Sequence, residues 1–291
     1  MLRQRRRGSS PAAHDPPRTS TPPLRASASP SDRLANLHSP SDETRKCLRR
    51  PRRARQRRCP HRSGTLIGVT VVDLSAVSVF LDFDGTITAA DTGVHLLDRL
   101  TNDDWRAVDD EYASGTIGSR EALSRQWAML PVDEDALRAV AREVPLDPGL
   151  GPLVEGLRAG GAEVMVVSDG FGFHVEEALA PFGVEVLTNA VDFATGALVF
   201  PHADRCCPCS TCGTCKQAPI KDARRRGRRA VFVGDGVSDR KAALLADRLF
   251  AKVGPGGRPE QGHGLAEWCE LADVAYEPFE SLADVHVALL G

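Results

Sequence analysis

Two aspartates stand two residues apart in the segment Asp82-Phe-Asp84-Gly-Thr86, directly after a short apolar run. A carboxylate in such a position can attack phosphorus and form an acyl-phosphate, which water then cleaves. The second carboxylate can protonate the leaving oxygen and afterwards activate the water. The pair therefore suits phosphoryl transfer, although the same pattern also occurs in ordinary turns and in calcium loops.

Two further polar clusters complement this pair. Ser168-Asp169-Gly170 offers a hydroxyl and the backbone N–H groups of Asp169 and Gly170 as contacts for a phosphate. Asp235 and Asp239 supply the additional negative charge that Mg²⁺ requires beside a phosphate. A cation must also face the transferring oxygens, and Lys216 and Lys221 are the two candidates for it. Each cluster alone is weak evidence. The three clusters in this order, with a lysine between the second and the third, predict a site for a phosphate ester.

Each cluster follows an apolar run that is predicted as a buried strand. These runs cover Val77–Leu81, 162–167 and 230–233, and Arg248–Lys252 is predicted as the last strand. Helices are predicted between the first two runs, over 93–100, 103–113, 119–130 and 133–144, and again over 239–246. Strands alternating with helices predict an α/β fold with a parallel, Rossmann-like sheet. Because parallel strands share one carboxyl-end rim, the polar clusters are expected to meet there.

The charge distribution divides the chain into two parts. Residues 1–63 carry sixteen Arg and one Lys against four acidic residues, whereas the other 228 residues carry 20 basic and 35 acidic ones. The first part has no aromatic residue, so it cannot bury enough apolar surface to fold. We therefore predict a disordered Arg/Pro/Ser-rich tail over 1–68. Three interpretations of the tail stay open: a start site placed too early, a basic arm for nucleic acid, or a transit peptide.

The motifs together resemble those of the haloacid dehalogenase-like phosphatases, over about residues 77–290. The resemblance implies that Asp82 is the nucleophile, that Asp84 is the acid and base, and that Ser168 binds phosphate. It also implies Mg²⁺ held by the side chains of Asp82 and Asp235 and the backbone carbonyl of Asp84, with Asp239 in support. The expected organisation is an α/β core over 69–88 and 149–291 with a small helical cap over 89–148.

Within that superfamily, the chain is similar to the phosphoserine-phosphatase-like branch. The segment Cys212-Gly-Thr-Cys215-Lys216 looks most like the methionine-salvage phosphatases, which act on 2-hydroxy-3-keto-5-methylthiopentenyl-1-phosphate. Because Lys216 follows the cysteines as in that family, we favour it over Lys221, which we interpret as a solvated helix residue. Asp91 stands where phosphoserine phosphatases carry Glu, which counts against free phosphoserine as the substrate.

Five cysteines fall within ten residues, in the cysteine-rich loop 206–215. Four of them, Cys206, Cys209, Cys212 and Cys215, repeat with two residues between neighbours. The spacing allows a structural Zn²⁺ or an iron–sulfur cluster. The alternative is a group of free thiols or a local disulfide without a metal.

The predicted function is Mg²⁺-dependent hydrolysis of a small phosphorylated metabolite through an aspartyl-phosphate. The alternatives are phosphoserine phosphatase, another phosphotransferase and, from a different class, a nucleic-acid-binding protein that uses the basic tail. No apolar run reaches the roughly 18–20 residues of a membrane span, so a membrane partner is excluded. A cytoplasmic location is expected, nucleic acid is not the expected partner, and the oligomeric state is left open.

Overall fold

The computed structural model describes residues 73–203, 211–254 and 264–291. The predicted tail, 1–68, lies outside these residues. Within the described part of the chain, no helix has the length and apolar composition needed to cross a membrane.

A six-stranded parallel sheet forms the centre of the fold. In spatial order its strands are β3 (Glu185–Leu187), β2 (Glu163–Val167), β1 (Val77–Leu81), β6 (Arg229–Gly234), β7 (Arg248–Lys252) and β8 (Glu277–Phe279). All five residues of β1 are buried, as a central strand with both faces covered requires. The prediction of an α/β fold with a parallel sheet is confirmed.

Helices cover both faces of this sheet. They are α5 (Leu150–Ala159), α6 (Phe173–Leu179), α7 (Gln217–Arg225), α8 (Arg240–Ala243), α9 (Leu265–Ala272) and α10 (Leu282–Leu290). Because alternate side chains of a strand point to opposite faces, Val79 packs with α5 and α10 while Phe80 packs with α7 and α9. Two apolar layers thus enclose β1 and β6, and they fix the strand ends that carry the polar clusters.

A group of four helices lies between β1 and β2: α1 (Thr92–Leu100), α2 (Trp105–Ala113), α3 (Ser119–Trp127) and α4 (Glu134–Ala141). Aspartates start three of them, since Asp91, Asp104 and Asp133 each accept a hydrogen bond from a backbone N–H of the first turn. These helices share an apolar cluster that includes Trp105 and Trp127. We call the segment 89–148 the helical segment.

The two ends of the helical segment lie side by side. The Ala89 N–H donates to the Pro145 carbonyl at 2.9 Å, the Asp147 N–H donates to the Ile87 carbonyl at 2.7 Å, and Thr88 pairs with Leu146. An insertion whose ends meet in this way leaves the sheet on either side undisturbed.

Some elements differ from the sequence predictions. Arg248–Lys252 is not the last strand, because β8 pairs with it at the sheet edge; Pro278 within β8 hides the strand pattern, and proline is tolerated only at such an edge. The helix predicted over 239–246 is shorter, a 3₁₀ turn over Val237–Asp239 followed by α8. An antiparallel hairpin, β4 (Ala190–Asp192) with β5 (Ala197–Val199), stands apart from the main sheet.

Candidate active site

The three polar clusters converge at the carboxyl-end rim of the sheet. Asp82 follows β1, Ser168 follows β2 and Asp235 follows β6, and β1 pairs with both of the other strands. The Asp82 N–H also donates to the Val233 carbonyl at 2.9 Å, which extends the ladder up to the aspartate. Strand pairing therefore brings together residues that lie about 150 positions apart in the chain.

A buried ammonium group stands at the centre of the site. Lys216 Nζ lies 2.6 Å from Asp82 Oδ1 and 2.7 Å from Asp239 Oδ1, and it donates to Ser238 Oγ at 2.8 Å. The side chains of all three charged residues are less than a tenth exposed. Burial alone would lower the pKa of Lys216, but the two carboxylates outweigh it and raise that pKa, so the lysine is held charged.

The carboxylates at this centre outnumber the cation. Asp82, Asp235 and Asp239 have ligand atoms within 4.8 Å of one another, and all three are buried. Burial and the charge of Asp239 raise the pKa of Asp82 well above its usual range, although Lys216 acts in the opposite direction. Three carboxylates against one ammonium leave an excess of negative charge in a buried place, which a divalent cation would neutralise. Oxygen ligands of this kind suit Mg²⁺.

Asp239 organises the loop after β6. Its Oδ2 accepts the backbone N–H groups of Asp235 and Gly236, both at 3.0 Å, while its Oδ1 contacts Lys216. Asp235 in turn accepts a hydrogen bond from Thr86 Oγ1 at 3.1 Å. Both oxygens of Asp239 are thus engaged within the protein, which fits a supporting role better than direct coordination of an ion.

Asp84 has different surroundings. Its Oδ1 accepts the Thr92 N–H at 3.2 Å and lies 3.4 Å from His174 Nε2. Burial would raise the pKa of Asp84, but the hydrogen bond and charge of His174 and the Thr92 amide outweigh it, so that pKa is lowered. The sequence analysis did not assign His174 to the site. Nothing in the local sequence distinguishes His174, in the first turn of α6, from a packing residue.

The Ser168 cluster also makes hydrogen bonds within the protein. The Ser168 side chain is fully buried and accepts the Gly170 N–H at 3.1 Å. Gly170 lies close to Asp84, since a Cβ there would be 2.3 Å from Asp84 Oδ2. The Asp169 carboxylate accepts hydrogen bonds from Ser119 Oγ, the Thr214 N–H and Asn189 Nδ2. The Asp169 side chain therefore connects the segments that carry Ser119, Thr214 and Asn189. This role was not predicted from the sequence.

A second buried lysine supports the Asp82 loop from below. Lys252 Nζ donates to the Gly85 carbonyl at 2.7 Å and to the Thr86 carbonyl at 3.3 Å. Burial lowers the pKa of this lysine, although Asp235 and Asp147 oppose the change. The sequence placed Lys252 at the end of the predicted last strand, where nothing in the pattern distinguished it from a solvated residue.

A pocket of about 100 Å³ opens onto these groups. Asp82, Asp84 and Asp235 line its floor, residues 169–171 and 236–238 line it further, and residues of the helical segment line the side facing them. The latter combine acidic, polar and apolar side chains: Asp91, Val94, Leu97, Asp109, Tyr112, Ser119, Leu123 and Gln126. Among the described residues that line the pocket, none is basic. Burial and the Asp169 carboxylate raise the pKa of Tyr112 well above its usual range, so its hydroxyl stays protonated.

The other candidates of the sequence analysis fall outside this centre. Lys221 donates to Gln217 on the same helix at 3.2 Å, whereas Lys216 contacts Asp82. Three successive arginines at the end of α7, residues 224–226, form ion pairs with Asp222, Asp247 and Glu163. These pairs belong to the end of the sheet opposite the rim, where β6 begins.

The predicted cysteine metal site receives no support. Cys206 and Cys209 lie outside the described residues, while Cys212 and Cys215 form no disulfide within the part of the chain that the structure describes. In the part of the chain that the structure describes, the aspartates 82, 235 and 239 form the one group of three side chains that could hold a metal ion. A structural zinc at the cysteines stays a prediction.

The family model described as haloacid dehalogenase-like hydrolase matches residues 79–244, more than half of the chain. The chain belongs to the haloacid dehalogenase-like hydrolases. The match includes all three polar clusters and Lys216, and it confirms the predicted family and the prediction of an enzyme.

Similar proteins agree with this assignment. A 2-hydroxy-3-keto-5-methylthiopentenyl-1-phosphate phosphatase of Brevibacillus brevis is 28% identical over 60% of this chain and 82% of its own. One of the same name from Bacillus mycoides is 26% identical over 72% and 94%. A phosphoserine phosphatase from T. onnurineus superposes with a TM-score of 0.54 at 19% identity, over 77% of this chain and 99% of that one. At that identity the structural likeness concerns the fold alone.

A pair of matched glycine variants tests the geometry of the aspartate loop. Gly85 and Gly227 both have a positive φ, 77° and 79°, but a Cβ at Gly85 would lie 2.3 Å from Asp235 Oδ2, whereas a Cβ at Gly227 meets nothing within 4 Å. Both alanine variants carry a backbone strain of about 1–3 kcal/mol in the free energy of unfolding. We expect only Gly85→Ala to weaken Mg²⁺ binding as well, measured by calorimetry. Equal Mg²⁺ affinity in the two variants would contradict the assignment of Asp235.

Proposed function

We propose that this hydrolase is a Mg²⁺-dependent phosphatase that acts through an aspartyl-phosphate on Asp82. The observation that carries the proposal is the Lys216 ammonium between Asp82 and Asp239, buried at the strand rim beside Asp235. An ammonium at this point can balance the charge of a phosphoryl group as it approaches the nucleophile. A bound Mg²⁺ would be held by Asp82, Asp235 and the Asp84 carbonyl, and it would supply further positive charge to the phosphate oxygens.

The two aspartates of the first cluster divide the reaction between them. Asp82 attacks phosphorus, and the bond from phosphorus to the alcohol oxygen breaks. Asp84, with its lowered pKa, is suited to accept the proton of the water that later cleaves the acyl-phosphate. For the first step Asp84 must carry a proton to the leaving oxygen, and the negative charge of a bound phosphate favours that proton uptake. His174 and the Thr92 amide hold the carboxylate in place for both steps.

We infer that the helical segment acts as the cap and selects the substrate. Its residues line the pocket opposite the catalytic aspartates, and its two ends meet at Thr88 and Leu146. The substrate proposed first is 2-hydroxy-3-keto-5-methylthiopentenyl-1-phosphate, on which the relatives' printed names agree. Val94, Leu97 and Leu123 offer an apolar wall to its methylthio end, and Asp91 offers an acceptor to a hydroxyl.

The first experiment traps the covalent intermediate. The protein is mixed with Mg²⁺ and a generic phosphate ester, quenched in acid and analysed by mass spectrometry. We expect phosphate on the peptide that contains Asp82, and none in Asp82→Asn. Asp135→Asn, which changes an exposed aspartate of the helical segment, is the control and should keep the label. A phosphorylated Asp82→Asn protein, or an unmodified peptide during rapid turnover, would exclude this mechanism.

Lys216, which directly precedes α7, and Lys221, which lies within it, provide a second test. Lys216→Ala removes the ammonium beside Asp82, so we expect kcat to fall by about 100-fold or more. Lys221→Ala changes a residue whose ammonium bonds to Gln217, so kcat should stay within about twofold, as for an ordinary surface change. Steady-state kinetics on p-nitrophenyl phosphate measures both. The reverse result would assign the catalytic cation to Lys221.

A substrate comparison tests the inferred selectivity. The carboxylate of phosphoserine would enter a pocket whose described lining contains acidic side chains and no basic one, and an unpaired buried charge is costly. We therefore expect kcat/KM for 2-hydroxy-3-keto-5-methylthiopentenyl-1-phosphate to exceed that for phosphoserine by at least about tenfold, which corresponds to roughly 1.4 kcal/mol. A preference for phosphoserine would overturn the choice of substrate and leave the phosphatase mechanism standing.

A further inference from the structure

The Asp169 carboxylate is the meeting point of three chain segments. Its Oδ2 accepts the Ser119 hydroxyl at 2.5 Å, and its Oδ1 accepts the Thr214 N–H at 2.7 Å and Asn189 Nδ2 at 3.3 Å. Ser119 begins α3 of the helical segment, Thr214 stands two residues before Lys216, and Asn189 precedes β4.

Short contacts around Asp169 show that the three segments fit closely. A Cβ at Gly213 would lie 2.5 Å from Asp169 Oδ1, and a Cβ at Gly118 would lie 2.3 Å from the Thr211 carbonyl. Ser119 Oγ also accepts the Gly213 N–H at 3.1 Å, and the Arg120 N–H donates to the Thr211 carbonyl at 3.1 Å. The first turn of α3 therefore rests directly on the loop that delivers Lys216.

Asn189 completes this arrangement from the core side. Its amide donates to the Gly170 carbonyl at 2.7 Å, and its carbonyl oxygen accepts the Thr214 hydroxyl at 3.0 Å. Asn189 and Thr214 are each 1% exposed, so water does not compete for these bonds. The Lys216 loop is thus fixed to the strand rim by Asn189 and to the helical segment through Asp169.

We propose that Asp169 is a positioning residue that couples closure of the helical segment over the pocket to the placement of Lys216. When α3 is seated, Ser119 and Asp169 hold the Thr214 backbone, and Lys216 lies between Asp82 and Asp239. When α3 moves away, the Ser119 bonds to Asp169 and to Gly213 are lost together. The Lys216 loop then keeps its bonds to Asp169 and Asn189 but loses those to α3. The catalytic cation is then in place only while the pocket is closed and water is excluded.

A set of variants tests the coupling through kcat for p-nitrophenyl phosphate. Asp169→Ala removes the acceptor of the Thr214 N–H, so we expect kcat to fall by about 100-fold, as displaced catalytic groups do. Ser119→Ala removes one bond to the carboxylate and should lower kcat by about tenfold. Because both act through one contact, the double variant should be no slower than Asp169→Ala. KM should change far less than kcat in all three.

Two controls separate positioning from general loss of structure. Asp169→Asn keeps one carbonyl oxygen for the Thr214 N–H, so its kcat should recover to well above that of Asp169→Ala. Ser124→Ala removes another serine hydroxyl of α3, one that bonds only within its own helix at Arg120, and its kcat should equal that of the unaltered protein. Effects that multiply in the double variant, or no recovery in Asp169→Asn, would overturn the proposal.

Amide hydrogen exchange gives a readout that does not need activity. Ser119→Ala should speed exchange in the peptide that spans Gly213 to Lys216, whereas Ser124→Ala should leave it unchanged. The coupling rests on the proposed phosphatase function for its kinetic arm only: an inactive unaltered protein would refute the function, while unchanged exchange in Ser119→Ala would refute the coupling. If Asp169→Ala does not fold, the same double-variant comparison is made with Asp169→Asn.

Discussion

The burial of the Lys216 ammonium between two carboxylates is the interaction on which the rest of the site depends. Removing one partner from such a buried pair costs roughly 3–5 kcal/mol, because a charge is left without compensation. Asp82, Asp239 and Lys216 come from β1, from the loop after β6 and from the start of α7. The ion pairs can form only when the sheet brings these three ends together. Folding of the sheet is therefore a precondition for assembly of the charged centre.

The neighbouring residues follow from the need to pack charges without unsatisfied polar groups. Asp239 uses both oxygens, one for Lys216 and one for two backbone N–H groups, so the loop carrying Asp235 has a single arrangement. Gly234 leaves room for it, since a Cβ there would lie 2.5 Å from Asp239 Oδ2. Lys252 holds the carbonyls of the opposite loop. Lys216 and Lys252 thus stabilise the rim from different sides. Of these two lysines, Lys216 is the one that contacts the nucleophile Asp82.

The sequence predicted the sheet and its rim well because both depend on local patterns. Apolar runs ending in aspartate or serine located β1, β2 and β6, and parallel pairing then required their ends to meet. Lys252 and His174 could not be predicted in the same way. A lysine at a strand end and a histidine in a helix have no local signature. Their roles depend on a carboxylate 90 positions away in the chain and on a carbonyl 167 positions away.

Asp169 shows that a motif residue can have a second role, in its side chain, that the motif does not predict. The sequence predicts phosphate contacts from the Ser168 hydroxyl and from the backbone N–H groups of Asp169 and Gly170, and it assigns no role to the Asp169 side chain. A buried carboxylate at this rim needs hydrogen-bond donors that stabilise its charge. The bonds from Ser119, Thr214 and Asn189 meet that requirement. An acidic residue is tolerated at this rim because the helical segment and the lysine loop consume its hydrogen-bonding capacity, and the same bonds connect the pocket's wall to its catalytic cation.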